Sequence, residues 1–155
     1  MPDQRPTLHR LSLRIYYEDT DFSGAVYHAN YLRFLERART EWVRGTGFDQ
    51  RAAFDGTPPT NFIVKRLSIE YLRPARMDDV ITVETRLIEA RGASLVLAQN
   101  VLRGEERLVE ARVTVASLSG GRPARLPRLI REALPKSGVP KGGVPKSGVP
   151  KSGLG

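Results

Sequence analysis

The chain has 155 residues, with 25 lysines and arginines against 17 acids, a formal charge of +8 and no cysteine. Such a length supports one domain with a modest core, and the missing thiols exclude disulfides, a cysteine nucleophile and thiolate metal sites. With His9 and His28 as the only histidines, a zinc site would have to lean on carboxylates, and no run approaches the ~18 apolar residues of a membrane span.

In chain order, the opening MPDQRPTLHR lacks an apolar targeting segment, so a cytoplasmic protein is expected. Leu11, Leu13, Ile15 and Tyr17 then alternate with polar neighbours and predict a half-buried strand. Tyr31, Phe34, Leu35, Ala38 and Trp42 recur at helical spacing and predict an amphipathic helix with an aromatic core face, ending near Gly45. An irregular connection follows, with a short helix around Asp49 to Phe54. Four alternating runs come next, around Leu67–Tyr71, Ile81–Leu87, Leu95–Val101 and Val109–Val115, with Gly92 and Gly104 marking turns. A short helix over Leu126 to Leu134 is expected before Pro135.

The last stretch, PKSGVPKGGVPKSGVPKSGLG, is a five-residue repeat holding Lys136, Lys141, Lys146 and Lys151, four of the five lysines, and no acid. It cannot bury a core, so the expected organisation is a folded domain over 1–134 and a disordered tail over 135–155. Without the tail the charge excess falls to +4, and no segment interleaves clustered basic residues with stacking aromatics. Nucleic acid is therefore not the expected partner; an anionic small ligand or an acidic carrier protein suits the mild excess.

One strand, one long helix and four strands joined mainly by short turns cannot form parallel crossover units. The expected class is α+β: an antiparallel sheet with one helix packed on it. The sheet's other face and its edges need a cover, for which a homodimer is expected.

Residues 18–31, EDTDFSGAVYHANY, raise the functional question. Asp19, Asp21, Ser23 and Gly24 match the first half of a calcium loop, but Asn30 stands where the bidentate glutamate belongs and a strand precedes the loop instead of a helix. The same residues are good turn formers. A carboxylate, a glycine and a histidine just before a helix also suit acyl transfer, because unpaired amides at a helix start can hold a developing oxyanion.

The pattern D-x-x-G-x-V-Y-H-x-x-Y, then E-R-A-R, stands here as Asp21, Gly24, Val26, Tyr27, His28, Tyr31 and Glu36 to Arg39. It resembles hotdog-fold acyl-CoA thioesterases of the 4-hydroxybenzoyl-CoA thioesterase class, and most closely the branch associated with the Tol-Pal system. YYEDTD, IEYLRPAR and RGASLV extend the resemblance over Leu11 to Leu118. It implies a long helix wrapped by an antiparallel sheet, homodimers that often pair into homotetramers, and active sites at the subunit interface. It also implies an acyl-CoA or acyl-carrier-protein substrate and no cofactor or metal.

By the same resemblance, Asp21, not Asp19, is the nucleophile or general base. Gly24 allows close approach, the His28 amide faces the thioester oxygen, and the His28 side chain orients or transfers a proton. Tyr17 and Tyr27 are expected in pocket or core, and Arg73, Arg91 and Ser94 near the ligand. Phe22 and Ser23 depart from the small residues or proline of relatives and are expected to bear on acyl selectivity. A non-catalytic acyl-CoA or carrier-protein binding module linked to envelope or lipid machinery is the alternative. His9 has no constellation around it and is expected on the solvated surface.

Overall fold

The structure, a computed structural model, describes residues 8–134. The repeat tail, and with it the second part of the expected domain organisation, lies outside the described residues.

Strand β1 (Leu8–Arg14) leads through a turn of 3-10 helix (Tyr17–Asp19) to helix α1 (Asn30–Gly45). A short α2 (Gln50–Phe54) precedes the long strands β2 (Thr60–Tyr71), β3 (Val80–Arg91), β4 (Ser94–Arg103) and β5 (Glu106–Ser119). A two-residue β6 (Arg122–Pro123) and helix α3 (Arg128–Arg131) complete the fold. All pairings are antiparallel, in the order β1-β3-β4-β5-β2, with β6 added to β5. This is the expected α+β hotdog arrangement.

The first strand is shorter than its sequence pattern. Tyr16 and Tyr17 keep the alternating phase, but the Asp19 carboxylate accepts the Tyr16 amide at 2.8 Å and turns the chain out of the sheet. Tyr17 is consequently 82% exposed and belongs to no core. At the other end α3 covers less than the expected stretch, and Leu126 and Ile130 are buried there. Gly92 and Gly104 carry positive φ at the hairpin tips, as the turns require.

Helix α1 lies over the inner face of the sheet because its apolar stripe and that face are both apolar. The core divides in two. Under the first half of α1, Tyr31, Phe34 and Leu35 pack on Ile81, Val83, Val101 and Val109. Under the second half, Trp42 and Val43 pack with Leu87, Leu97, Val113 and Ile130. Between them runs a polar row across neighbouring strands, His9 opposite Thr85 and Thr85 opposite Gln99. Gln99 is fully buried and satisfied: its Nε2 donates to Leu35 O and Thr85 Oγ1 at 3.0 and 2.9 Å, and its Oε1 accepts from Arg39 at 3.1 Å.

One expectation is corrected here. His9 is half-buried on the inward phase of β1, with its Nδ1 buried and unpartnered among the described residues, because strand pairing carries it inside. The second face of the sheet bears Thr82, Glu84, Arg86, Asn100, Glu110 and Arg112 together with Val96, Ala98 and Leu102. The outer edge of β2 is unpaired among the described residues.

Candidate active site

The turn between β1 and α1 is tied down from several directions. Thr20 bridges to Val26, and Ala25 to Arg76. The Asp21 amide donates to Ala25 O and the Gly24 amide to Asp21 O, both at 3.0 Å. Gly24 sits at φ +84°, where a side chain is strained. A Cβ there would meet only the Arg76 guanidinium, at 3.9 Å, so backbone conformation and not space selects glycine.

The two aspartates of this turn have separate work. Asp19 is structural: its Oδ2 accepts from the Tyr16 amide and its Oδ1 from the Asn30 side chain, while its carbonyl accepts the Tyr27 amide at 2.9 Å. These bonds tie the turn to the start of α1. Asp21 is exposed, and its Oδ1 accepts from the Ser23 amide at 2.8 Å and the Ser23 hydroxyl at 2.6 Å. Its Oδ2 has no partner among the described residues. The Ser23 hydroxyl, then the Ser23 amide, hold the Asp21 carboxyl below the ordinary aspartate value, and the His28 imidazole adds a smaller pull the same way. Asp21 is therefore ionised at neutral pH. Ser23 thus acts by holding this carboxylate, whereas Phe22 beside it is fully exposed.

His28 lies in the turn just before α1, two residues ahead of the first helical residue. Neither its amide nor that of Ala29 has a hydrogen-bond acceptor among the described residues, whereas the Tyr27 and Asn30 amides are engaged. Two adjacent free donors are what a developing oxyanion requires. The His28 ring is flanked by Tyr27, with ring centroids 4.8 Å apart, and meets the edge of Tyr71 at 6.1 Å.

Sequence reasoning treated Tyr71 as a strand position only. Its hydroxyl donates to His28 O at 2.9 Å, and its ring packs on the buried Tyr31. The signal available in the sequence was its inward phase at the end of an alternating run. Arg103 was missed as well. It pairs with Asp79 at 2.6 Å and with Glu106 at 2.9 Å, while the Asp79 carboxylate accepts the Arg76 amide. This network braces the loop that pairs with Ala25.

Asp21, Gly24, Tyr27 and His28 thus come together. Tyr27 is exposed and not part of the core. Arg73 lies at the same end of the sheet, exposed and paired with Glu106 at 3.3 Å. Arg91 and Ser94 do not join the site of their own chain. Tyr71 is opposite Val109, and Val109 opposite Val101, so Ser94 stands seven residues further along β4, roughly 23 Å away at strand rise. Arg91, at the same hairpin, is exposed beside Glu89.

Residues 23–110 match the Thioesterase superfamily, a span that includes His28 and Tyr71 and begins two residues after Asp21. Acyl-CoA thioester hydrolase YbgC of Escherichia coli O6:H1 is 43% identical over 133 residues, covering 84% of this chain and 92% of the relative. Acyl-CoA thioesterase YbgC of Haemophilus influenzae is 41% identical over 123 residues, 78% of this chain and 90% of its own length. The crystal structure of a probable thioesterase from Bartonella henselae superposes with a TM-score of 0.75 at 41% identity, covering 77% of this chain and 99% of that one.

Proposed function

The chain belongs to the Thioesterase superfamily and is an acyl-CoA thioester hydrolase, and on that premise we propose that Asp21 and the His28–Ala29 turn carry the chemistry. The thioester carbonyl oxygen accepts from the free His28 and Ala29 amides, and the unpartnered Oδ2 of Asp21 faces the carbonyl carbon. Asp21 either takes a proton from the attacking water or attacks the carbon itself. In the second route the anhydride it forms is cleaved by water. Both routes consume one water and release the carboxylic acid and the coenzyme A thiol. The His28 side chain orients the substrate or returns a proton to the leaving thiolate.

The observation that carries this reading is the division of labour between the two aspartates. One carboxylate is consumed by the turn, and the other is kept ionised, with an oxygen free, in the same β1–α1 connection as two unpaired amides.

The site of a single chain is open, which supports a homodimer. Strand β2 pairs only with β5, leaving its other edge unpaired among the described residues, and Ile63 and Val64 are exposed there. An unpaired twelve-residue edge is a template for another copy of itself. Arg91 and Ser94 reach the ligand only if a second subunit, or a pair of dimers as a tetramer, brings the two ends of the sheet together. We place the protein in the 4-hydroxybenzoyl-CoA thioesterase class and the Tol-Pal-associated branch on the run from Asp21 to Arg39 and on IEYLRPAR. We also place it in the cytoplasm, acting on acyl-CoA or acyl carrier protein without a cofactor. The donor set of the site suits this: backbone amides and a carboxylate act on the thioester, and the Ser23 hydroxyl holds the carboxylate.

Thiol release from short, long and aromatic acyl-CoAs and from an acyl carrier protein tests the reading. Turnover of at least one thioester is expected. Saturable binding of all of them with no turnover would overturn it in favour of a binding module.

A further inference from the structure

Arg76 carries an exposed guanidinium that nothing nearby neutralises, at the edge of the Asp21 turn. The two carboxylates around it are taken by other arginines: Arg103 pairs with Asp79 at 2.6 Å and with Glu106 at 2.9 Å, and Arg73 with Glu106 at 3.3 Å. The Arg76 side chain itself has no hydrogen bond or ion pair among the described residues, and Asp79 feels its charge only from beyond ion-pair distance.

The backbone of this residue, not its side chain, does the structural work. The Val26 amide donates to Ala75 O at 2.9 Å, Arg76 bridges to Ala25, and the Arg76 amide donates to Asp79 Oδ2 at 2.8 Å. Its Nη1 meanwhile lies 3.9 Å from where a Cβ on Gly24 would stand. The bond from the Gly24 amide to Asp21 O closes a β-turn, whose first and last Cα atoms are less than about 7 Å apart. Adding one bond and that contact puts the guanidinium within roughly 12 Å of the Asp21 Cα. An aspartate side chain, a van der Waals contact and a short acyl chain fill such a span. The phosphates of coenzyme A, by contrast, are a whole pantetheine arm away from the thioester. An ionised Asp21 also repels a negatively charged acyl group, so a substrate of that kind needs a cation beside the turn.

We propose that Arg76 is a specificity-determining residue that pairs with a carboxylate at the far end of the acyl group. The preferred substrates are then coenzyme A thioesters of dicarboxylic acids of about five or six carbons, a length set by ordinary bond dimensions and a head set by the guanidinium fork. This rests on the placing of the thioester at Asp21 and adds the class of acyl group.

Steady-state kinetics of the full chain with glutaryl-CoA and pentanoyl-CoA, equal in length and different only in the terminal carboxylate, test the assignment. A kcat/KM at least about tenfold higher for glutaryl-CoA is expected of a charge-assisted contact. Arg76→Met should bring the ratio to one or below, and Arg76→Lys should keep part of it. A disturbed turn slows both thioesters alike, so the ratio reports the contact and not the fold. Equal kcat/KM for the two thioesters in the wild type, a ratio that survives Arg76→Met, or a KM that rises alike for both in that variant, as loss of a phosphate contact would give, overturns the assignment. Asp21→Asn, assayed beside it, reports separately on the chemistry at the turn, and full turnover there would remove the premise.

Discussion

The hydroxyl of Tyr71 donates a 2.9 Å hydrogen bond to the carbonyl of His28, and in doing so it fixes the direction of the Ala29 N–H. A trans peptide is planar, with its C=O and N–H pointing opposite ways. With the carbonyl turned toward Tyr71, the following amide points the opposite way. On the proposed mechanism, Tyr71 is thus a positioning residue for the oxyanion donors. Tyr71→Phe keeps the ring and removes only the bond, whose worth of about 1–1.5 kcal/mol corresponds to roughly a tenfold loss in kcat. KM should stay nearly unchanged. An equal rise in KM with kcat intact would place Tyr71 in substrate binding instead.

On the proposed mechanism, Asp21 sets the acid limb of activity. Its carboxyl is held below the ordinary value by Ser23, and the ionised form is the working one. Activity should persist down to pH values below the ~3.9 of a free aspartate, as far as the fold survives. Ser23→Ala removes the larger of the two Ser23 contributions and should move the limb upward. A pH profile of kcat for both proteins checks the direction.

The Asp79 carboxyl is pushed up by burial, but the Arg76 amide and the Arg103 guanidinium outweigh this and leave it lowered. A depressed folded value means stability that is present above the unfolded value of about 3.9 and is lost as pH falls through the folded one. Arg103→Ala should therefore lower the melting temperature at pH 7, and the gap to wild type should narrow below about pH 4. A gap that stays constant across that range would remove Asp79 from the account.

Gln99→Leu inserts an apolar side chain of similar size into the middle of the core. It strips acceptors and donors from Arg39, Thr85 and the Leu35 carbonyl together. Buried polar groups left unpaired cost about 1–3 kcal/mol each, so a loss of several kcal/mol is expected in urea denaturation. The double change Gln99→Leu with Arg39→Met should recover part of it, since it removes the stranded charge.

Gly24→Ala forces a side chain into the left-handed region at φ +84°, at about 1–2 kcal/mol. Because the Cβ has room, the strain should appear as a displaced Asp21 turn and reduced turnover, with melting only slightly lower.

Much of the fold was legible because most of its elements are amphipathic. The alternating runs gave the strands, and the spacing from Tyr31 to Trp42 gave α1. Their ends were not legible where a side chain decides them: Asp19 stops β1 by capturing the Tyr16 amide, and no period records that. The polar row was visible in retrospect, since Thr85 and Gln99 occupy inward phases of otherwise apolar runs. The motif singled out Asp21 and His28, which lie in the same turn before α1. The sequence did not show that Tyr71, 43 residues from His28, and Arg103, 24 residues from Asp79, brace the turn. Such contacts exist only once the sheet has assembled.

The central claim is that two aspartates two residues apart do different work. Turnover of an acyl-CoA and melting temperature, measured together for Asp21→Asn and Asp19→Asn, test it most directly. The account predicts that Asp21→Asn loses about a hundredfold or more in kcat, the effect of removing a positioned base or nucleophile, with its melting unchanged. Asp19→Asn should instead melt earlier, through loss of its bonds to Tyr16 and Asn30. Full turnover by Asp21→Asn would contradict the assignment of the catalytic carboxylate.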